Sequence, residues 1–372
     1  MEGADDLERV YRGEATRIRA SLAARLGDVG LAEELVQDAF IEALEHWPTA
    51  GVPLNPGGWL ATTARRKGID SLRRDRAGQD KLALLATSES WHPGDAGEPS
   101  DHEDDDLLGT VFACCHPTLV RESQIALTLR VVCGLTTGEI ATAFLVSEQA
   151  MAQRLARARK ALRDTGADVR VPDPGQLSER RDEVLAVIYL VFNEGYLASA
   201  GRTPARRDLA SQAVALNRLL HRLMPREPEV LGLLALLLLH ESRAATRFDG
   251  WGRLVRLQDQ DRSRWDLPLA AEASQLLSRA IAIHHPGQYQ IQAAIALVHA
   301  QASSSGETGW NQIRVLYDRL GLFARSPVVQ LNRAVATRYA VGPAQALAEV
   351  EPLAAELDGY RLFHAVRAEL LT

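Results

Sequence analysis

The sequence predicts an all-α protein, and three features support this fold class. Of its 372 residues, 46% are hydrophobic, which is ample for globular folding, while only 5% are aromatic. Alanine, leucine and arginine abound and β-branched runs are few, a composition that favours helices over strands. Apolar residues recur at helical spacing along most of the chain. The length exceeds that of one ordinary core, so we expect two or three helical domains.

Three helical segments are predicted in the first domain, residues 1–76. The middle segment, 31–47, has an apolar stripe with acidic residues mostly on other faces. A loop at 46–58 with three prolines and three glycines separates it from a basic helix over 59–74. The stripe consists of Leu31, Leu35, Phe40, Ala43, Leu44 and Trp47. In the basic helix, Trp59, Leu60, Ala64, Ile69 and Leu72 form the expected buried set.

An acidic segment follows this domain. Between residues 89 and 106 there is no lysine or arginine, and apolar residues are few. Such a composition cannot bury enough apolar surface to fold alone. We therefore expect a flexible linker over 77–106.

Two capped helices joined by a tight turn are predicted near the end of the second domain, residues 107–165. Thr136 followed by Glu139 is a capping box, and Ser147 is a second N-cap. From Ala150 onwards, apolar residues follow helical spacing while the other faces are polar and basic. This pattern is typical of a helix that reads the major groove with its first side chains and neutralises phosphates with later arginines. The alternative is a solvated basic face without a partner.

The C-terminal region, 177–372, follows a second linker at 166–176 and contains a weak internal repeat. Residues 290–296 match residues 330–336, and residues 229–235 resemble both. A proline precedes each match by three or four residues, as expected for repeated helix–turn–helix pairs. The interpretation is a helical array similar to tetratricopeptide (TPR) repeats, with a nonrepetitive helical bundle as the alternative.

Charge and apolar content limit the classes of function. A net charge of -6 argues against a protein that coats nucleic acid indiscriminately, so contact with DNA must come from local segregation of charge. The sequence shows no N-terminal apolar signal, and its longest apolar run, 230–239, is far shorter than a membrane span. We therefore expect a cytoplasmic protein.

Cysteine spacing and the absence of catalytic motifs exclude other classes. Cys114, Cys115 and His116, with Cys133 further on, suggest zinc. However, adjacent cysteines lack the gap that lets two thiolates share one tetrahedral ion. We expect these cysteines to be buried in a reducing compartment, with no metal site. Phosphate loops, nucleophile elbows and paired carboxylates in a recognisable context are missing, so neither catalysis nor a cofactor is expected.

Three motifs in order carry a family resemblance: residues 32–40, 58–74 and 134–163. Together they resemble the bacterial sigma-70 family, extracytoplasmic-function group, over about residues 7–164. The first two look like region 2 and the third looks like region 4. The long tail is similar to the subgroup with a TPR-like C-terminal extension. One departure is Leu145, where the turn of this family usually has glycine.

The resemblance implies roles for three sets of residues. Acidic residues on the 31–47 helix would face core RNA polymerase, and the 59–74 helix would hold the proximal promoter element. The third set would contact the distal promoter element. The acidic linker would either pass near the nucleic-acid channel of polymerase or serve as a spacer. The docking set is Glu33, Glu34 and Asp38; the proximal set is Trp59, Arg65, Arg66, Lys67, Arg73 and Arg74; the distal set is Ser147, Gln149, Gln153, Arg154, Arg157, Arg159 and Lys160.

The function that these implications favour is that of an alternative sigma factor regulated by its own C-terminal domain. Its expected partners are core RNA polymerase, promoter DNA, and a protein or small-molecule regulator of that domain. The alternative is a helix-turn-helix regulator with a TPR-like sensing domain that binds duplex DNA without polymerase.

Overall fold

The computed structural model describes residues 2–74, 101–196 and 206–371, and the regular structure in these ranges is helical, apart from an isolated antiparallel bridge between Phe248 and Leu254. The predicted all-α class is confirmed. The chain divides into two compact units, residues 1–212 and residues 213–372. The helices of the first unit are α1 (Glu2–Leu26), α2 (Val29–Ala50), α3 (Pro56–Arg74), α4 (Asp101–Cys114), α5 (Arg121–Val131), α6 (Thr137–Ala143), α7 (Glu148–Thr165) and α8 (Pro174–Tyr196); α9 (Arg207–Leu223) spans the division.

Helix α2 has a well-defined start and end. The Asp28 carboxylate accepts hydrogen bonds from the backbone N–H groups of Gly30 and Leu31, both at 3.0 Å, and so satisfies two donors that a helix start leaves open. The helix ends at Gly51, whose φ of +82° suits a residue without a Cβ atom. The predicted loop therefore begins only after the proline-containing last turn of α2.

The predicted apolar stripe of α2 is partly right. Leu35, Phe40, Ala43 and Trp47 are buried, but Leu44 is 56% exposed. The sequence pattern wrongly assigns Leu44 to the buried stripe. The buried face of the helix is centred on Val36, Ala43 and Trp47, and Leu44 lies at its margin. Leu31 is only half-buried.

The first and second predicted domains pack together within the first unit, chiefly through α1 and α4. Residues 101–106, expected in the flexible linker, instead form the first turns of α4, which corrects that boundary. Acidic residues stabilise a helix when they occupy its first turn, because the helix dipole is positive there. Asp106 accepts a hydrogen bond from Ser21 and lies near Arg25, both on α1. The remainder of the expected linker, residues 77–100, lies outside the described residues.

Helix α8 packs against α4 and α5 rather than starting the second unit. The Arg180 guanidinium donates to the carbonyl oxygen of Phe112 and lies over its ring at 5.6 Å. Arg121 on α5 forms an ion pair with Glu183 on α8 at 2.7 Å. The compact first unit thus extends beyond the linker expected at 166–176.

The second unit contains a series of helices in which neighbours along the chain pack together. The three repeated segments fall on alternate helices of this series. The apolar run 230–239 is buried inside the unit. No helix in the described ranges has the length and apolar content needed to cross a bilayer. The helices are α10 (Pro228–Glu241), α11 (Leu267–Ala282), α12 (Gln288–Gln301), α13 (Trp310–Phe323), α14 (Pro327–Ala340), α15 (Pro343–Val350), α16 (Ala354–Leu357) and α17 (Arg361–Leu371).

Helices α10 and α12 are joined by a carboxylate cap and a close backbone approach. Glu229 on α10 accepts hydrogen bonds from the backbone N–H groups of Tyr289 at 3.0 Å and Gln290 at 3.2 Å, which open α12. A Cβ atom on Gly232 would lie 2.7 Å from the backbone nitrogen of Gln290, so glycine is required there. These contacts fix how the two repeated segments pack.

The connection between α10 and α11, residues 242–266, is long and internally bonded. Its buried Trp265 donates from Nε1 to the Thr246 hydroxyl at 3.0 Å. Arg262 donates from Nη1 to the carbonyl oxygens of His299 and Ala302, both at 2.7 Å, and so caps the end of α12. The sequence pattern does not predict this network, because its partners are far apart along the chain.

Candidate nucleic-acid interface

The predicted pair of capped helices is present as α6 and α7. Thr136 accepts a hydrogen bond from the backbone N–H of Glu139 at 3.2 Å, and the Glu139 carboxylate accepts from the backbone N–H of Thr136 at 2.8 Å, which completes the capping box. Ser147 caps α7 through the N–H of Ala150 at 3.2 Å. Thr136, Glu139 and Ser147 thus set the positions at which the two helices begin.

The turn between α6 and α7 contains Leu145 with a φ of +53°. A Cβ atom in this left-handed conformation crowds the following carbonyl, which is why glycine is favoured there. The Leu145 side chain is 82% exposed, so burial does not offset the backbone strain. The turn keeps the helix-turn-helix shape despite its unfavourable residue.

Helix α7 buries one face and exposes another. Met151, Leu155, Ala158 and Leu162 are buried, as predicted, whereas Ala150, which begins the same predicted stripe, is exposed. Arg154 is half-buried with its guanidinium 5.5 Å from the centre of the Phe144 ring, and this contact orients it beside the helix start. The exposed members of the distal set are Ser147, Gln149, Gln153, Arg157 and Lys160.

Arg159, expected to meet phosphate, instead lies at a contact with α2. Its side chain is 20% exposed and its Nη1 lies 3.5 Å from the Glu33 carboxylate. In this structure Arg159 is therefore not available to DNA, which departs from the sequence expectation. Its position follows from helical spacing, because Arg159 lies four residues after Leu155 and so shares the buried side of α7.

The basic helix α3 exposes part of the proximal set. Arg66 and Lys67 both pair with Glu42 on α2, Lys67 at 3.0 Å. These cations, Lys67 foremost, lower the pKa of the Glu42 carboxyl. Trp59 is half-buried and meets Trp47 edge to face, with ring centres 5.5 Å apart.

The rest of the proximal set divides between described and undescribed side chains. Arg65 is half-buried, whereas the side chains of Arg73 and Arg74 lie outside the described part of the chain.

The expected polymerase-docking carboxylates separate into two groups. Glu34 and Asp38 are exposed on α2, on the side that also exposes Ile41 at 54%. Glu33 is only 2% exposed, so the expectation that it faces a partner does not hold in this structure. Helical spacing explains the error, since Glu33 lies three residues before Val36 and seven before Phe40 and shares their buried face.

Arg130, which pairs with Glu33, was not singled out from the sequence. The Arg130 Nε donates to the Glu33 carboxylate, and its Nη1 donates to the Leu135 carbonyl oxygen at 2.8 Å. An arginine within the apolar second half of α5 could have indicated a buried partner, because buried charges require compensation. The sequence alone does not identify that partner 97 residues away.

The three cysteines are buried, as expected. Burial raises the pKa of Cys115 and of Cys133 to about 12, and raises that of Cys114 well above its ordinary value. These thiols therefore stay protonated at neutral pH and are poor nucleophiles and poor metal ligands.

A capped helix pair whose second helix exposes glutamines at its start and basic residues further along is typical of a helix-turn-helix DNA-binding protein. Comparison with known families is more specific. Residues 10–78 match Sigma-70 region 2, and residues 111–162 match Sigma-70, region 4. The chain belongs to the sigma-70 family and resembles its extracytoplasmic-function (ECF) group. It is a sigma factor, a DNA-binding protein of transcription initiation whose partners are core RNA polymerase and promoter DNA.

Two relatives extend the comparison. A protein of Rhizobium meliloti (strain 1021), described as uncharacterized, is 45% identical over 351 residues, covering 92% of this chain and 82% of the relative. The ECF RNA polymerase sigma factor SigK of Mycobacterium ulcerans (strain Agy99) is 25% identical over 164 residues, covering 43% of this chain and 85% of the relative. No solved structure shows a significant match.

Residues 180–281 match a family of unknown function, DUF6596. This match begins in α8 and continues through α11. It gives no support for a TPR-like assignment, which stays a prediction from the repeat.

Proposed function

We propose that region 4 reads the distal promoter element through the start of α7. The observation that carries this proposal is the exposed polar start of that helix, where Ser147, Gln149 and Gln153 project beside Arg154. Amide side chains can pair with adenine edges and arginine with guanine, while Arg157 and Lys160 further along suit phosphates. Arg159 would join them only in a conformation that releases it from Glu33.

The proximal element would be held by α3. Its exposed Arg66, with Arg65 and Lys67 beside it, would bind the phosphate backbone, and Arg73 and Arg74 would extend this basic surface. Trp59 lies at the start of the same helix, where an aromatic ring can stack on an unpaired base. Basic side chains beside an aromatic ring suit the binding of opened promoter DNA.

Core polymerase would dock on the exposed face of α2. Glu34 and Asp38 supply negative charge there, and Ile41 with Leu44 supplies apolar surface. Acidic groups around an apolar centre suit a basic partner surface, because charge complementarity directs association and apolar contact adds affinity. Glu33 could contribute only after leaving its buried site.

The second unit would regulate regions 2 and 4, which together form the sigma module, by binding a protein or small molecule. Support comes from its size and from its consecutive helical pairs, an architecture that in repeat proteins binds peptides and domains. A ligand can bias the module only by its different affinity for two states of the protein. The domain plan is then region 2 in 1–76, region 4 in 107–165, and the TPR-like regulatory part within 177–372.

Run-off transcription with purified core polymerase tests whether the chain acts together with polymerase. We expect the full chain to direct specific initiation with polymerase and to bind duplex DNA weakly alone, because its net charge is negative and its basic surfaces are separate. Tight, sequence-specific duplex binding without polymerase would instead favour a helix-turn-helix regulator that acts alone.

A further inference from the structure

Phe144 directly follows α6, and its ring lies beside Arg154 of α7, whose guanidinium carbon is 5.5 Å from the ring centre. Both side chains are half-buried. Arg154 follows the exposed Ala150 by one helical turn, so it lies at the border between the buried and exposed faces of α7. The contact therefore joins the two helices at the edge of the surface proposed to read DNA.

The backbone of the turn fixes the position of Phe144. The Leu145 N–H donates to the Thr142 carbonyl oxygen at 3.1 Å, and the Val146 N–H donates to the Ala141 carbonyl oxygen at 3.0 Å. Together with the left-handed conformation of Leu145, these two bonds form a Schellman motif, which closes the end of α6. The aromatic ring is thus attached to a turn whose geometry is set by local hydrogen bonds.

The other basic residues of the distal set are held in a different way. Lys160 donates to the Asp164 carboxylate at 2.6 Å, and Arg159 lies 3.5 Å from the buried carboxylate of α2. Arg157 donates from Nε to a backbone carbonyl oxygen one turn earlier, at 3.3 Å. Within the described part of the chain, Arg154 has neither kind of acceptor, and an aromatic ring restricts it instead.

An aromatic ring suits a side chain that must be ordered and still able to bind. Phenylalanine has no hydrogen-bonding atom, so the contact leaves the five N–H donors of the Arg154 guanidinium available. An arginine that is ordered before binding also loses less rotamer freedom when it binds. Guanine presents two acceptors, O6 and N7, that match two donors of a guanidinium. Arg154 can therefore pair with guanine without first breaking a hydrogen bond to the protein.

We propose that Phe144 is a positioning residue for base recognition, which orders Arg154 to read a guanine of the distal promoter element. Phe144 itself does not contact DNA, and its effect passes through Arg154 alone. The inference rests on the proposed role of α7 in reading that element. It follows that the preference for guanine at one base pair depends on the aromatic ring at position 144 and not on apolar volume there.

Binding of the full chain with core polymerase to a DNA library tests this role. Each library member has a fixed, pre-melted proximal segment, which anchors the complex, and randomised base pairs over the distal element. Sequencing of the bound fraction gives the relative affinity for each base at each position. Arg154→Ala first identifies the base pair that Arg154 reads, because the preference for guanine there is lost in that variant.

We expect Phe144→Leu, which keeps an apolar side chain and removes the ring, to lower the guanine preference at that base pair roughly two- to fivefold, as expected for an exposed cation–π contact. Phe144→Tyr keeps the ring and should retain the preference of wild type. Leu145→Ala is the matched control, since it changes the neighbouring side chain of the same turn and leaves the ring in place. Adding Phe144→Leu to Arg154→Ala should change this preference no further, because the ring acts only through the guanidinium.

An unchanged guanine preference in folded Phe144→Leu would overturn the proposal, as would an equal loss in Phe144→Tyr or a further loss in the double variant. Equal weakening of every sequence would also contradict it, since that result indicates damage to the turn. If Phe144→Leu does not fold by circular dichroism, Phe144→Met, which is also apolar and lacks a ring, decides in the same way.

The Arg154→Ala variant separates this proposal from the proposed function on which it rests. If Arg154→Ala changes no base preference, the reading of the distal element by Arg154 is wrong, and the positioning role of Phe144 is wrong with it. If Arg154→Ala loses a guanine preference that Phe144→Leu keeps, only the positioning role is wrong.

Discussion

Leu145 shows how one residue can oppose the turn that it occupies. Its left-handed backbone places a Cβ atom where glycine would have none. From the sequence, the capping residues Thr136 and Ser147 predicted both helices, because their bonding partners are three residues away. The strain at Leu145 could only be suspected, since a turn with a different shape would have relieved it.

Replacing Leu145 tests that strain directly. We expect Leu145→Gly to stabilise the first unit by about 0.5–1 kcal/mol, the relief of the left-handed penalty less the greater freedom of glycine in the unfolded chain. Urea unfolding followed by circular dichroism measures the change. Leu145→Ala keeps the Cβ atom and should show no such gain, so equal stabilisation by both variants would contradict the explanation.

Substitutions in the distal and proximal DNA-contact sets should impair transcription at different steps. Arg154→Ala should weaken binding to promoters that depend on the distal element by about 1–3 kcal/mol, and Arg157→Ala, which removes a phosphate contact, should weaken promoter binding with little dependence on sequence. Arg65→Ala with Arg66→Ala should impair opening, so a pre-melted template should rescue that pair. Abortive transcription on duplex and pre-melted templates makes the comparison.

Exposed Arg170 provides the control for these substitutions, because it lies outside both sets, and Arg170→Ala should transcribe normally. Equal loss by the two arginine pairs on duplex and pre-melted DNA would refute this division of labour.

Helices can be predicted from the sequence where the residues that indicate them lie close together along the chain. The capped pair α6 and α7 and the buried face of α7 follow from spacing within a few helical turns. The repeats on α10, α12 and α14 follow from similarity between segments of the sequence. The burial of Glu33 by Arg130 and the network of residues 242–266 depend on groups distant along the chain. The start of α4 was missed because its acidic residues were interpreted as a linker, although the same residues stabilise a helix start.

Asp106 in α4 should make the contact between α4 and α1 sensitive to pH. Burial raises its pKa to about 6, against the opposing effects of Arg25, Ser21 and His102 and with a smaller contribution from Asp105. A raised pKa in the folded state means that the contribution to stability is complete below the ordinary value near 3.8 and is lost as pH rises through about 6.

Asp106→Asn should therefore raise the melting temperature more at pH 7.5 than at pH 5, since it removes a carboxylate that is costly to bury when charged. Differential scanning calorimetry at both pH values measures this. Asp105→Asn, at the exposed neighbour that contributes least to this shift, should leave most of the pH dependence of wild type in place. A melting-temperature increase in Asp106→Asn that is the same at both pH values would show that charge is not the cause.

At the scale of the molecule, the division after Gln212 determines where the regulatory part can be removed. A cut after Asp168 would take away α8 and expose the faces of α4 and α5 that it covers. A chain of residues 1–212 keeps α8, with the hydrogen bond from Arg180 to Phe112 and the ion pair between Arg121 and Glu183. The sequence alone suggested the earlier cut, because the proline-rich break at 168–175 looks like a domain boundary.

We expect residues 1–212 to fold and to transcribe several-fold less than the full chain, while residues 1–168 should also lose stability. Thermal unfolding and in vitro transcription separate the two effects. Transcription by residues 1–212 equal to that of the full protein, both in vitro and in cells, would show that the second unit is a passive appendage.

The Glu229 cap should couple the local unfolding of α10 to that of α12. Because the first amides of α12 are bonded to a side chain of α10, they can exchange with solvent only when α10 shifts or α12 unwinds. The close approach of Gly232 to Gln290 adds steric coupling between the same two helices. Helices α10 and α12 should therefore open as one cooperative block, even though a linear array in principle permits each pair to fray independently.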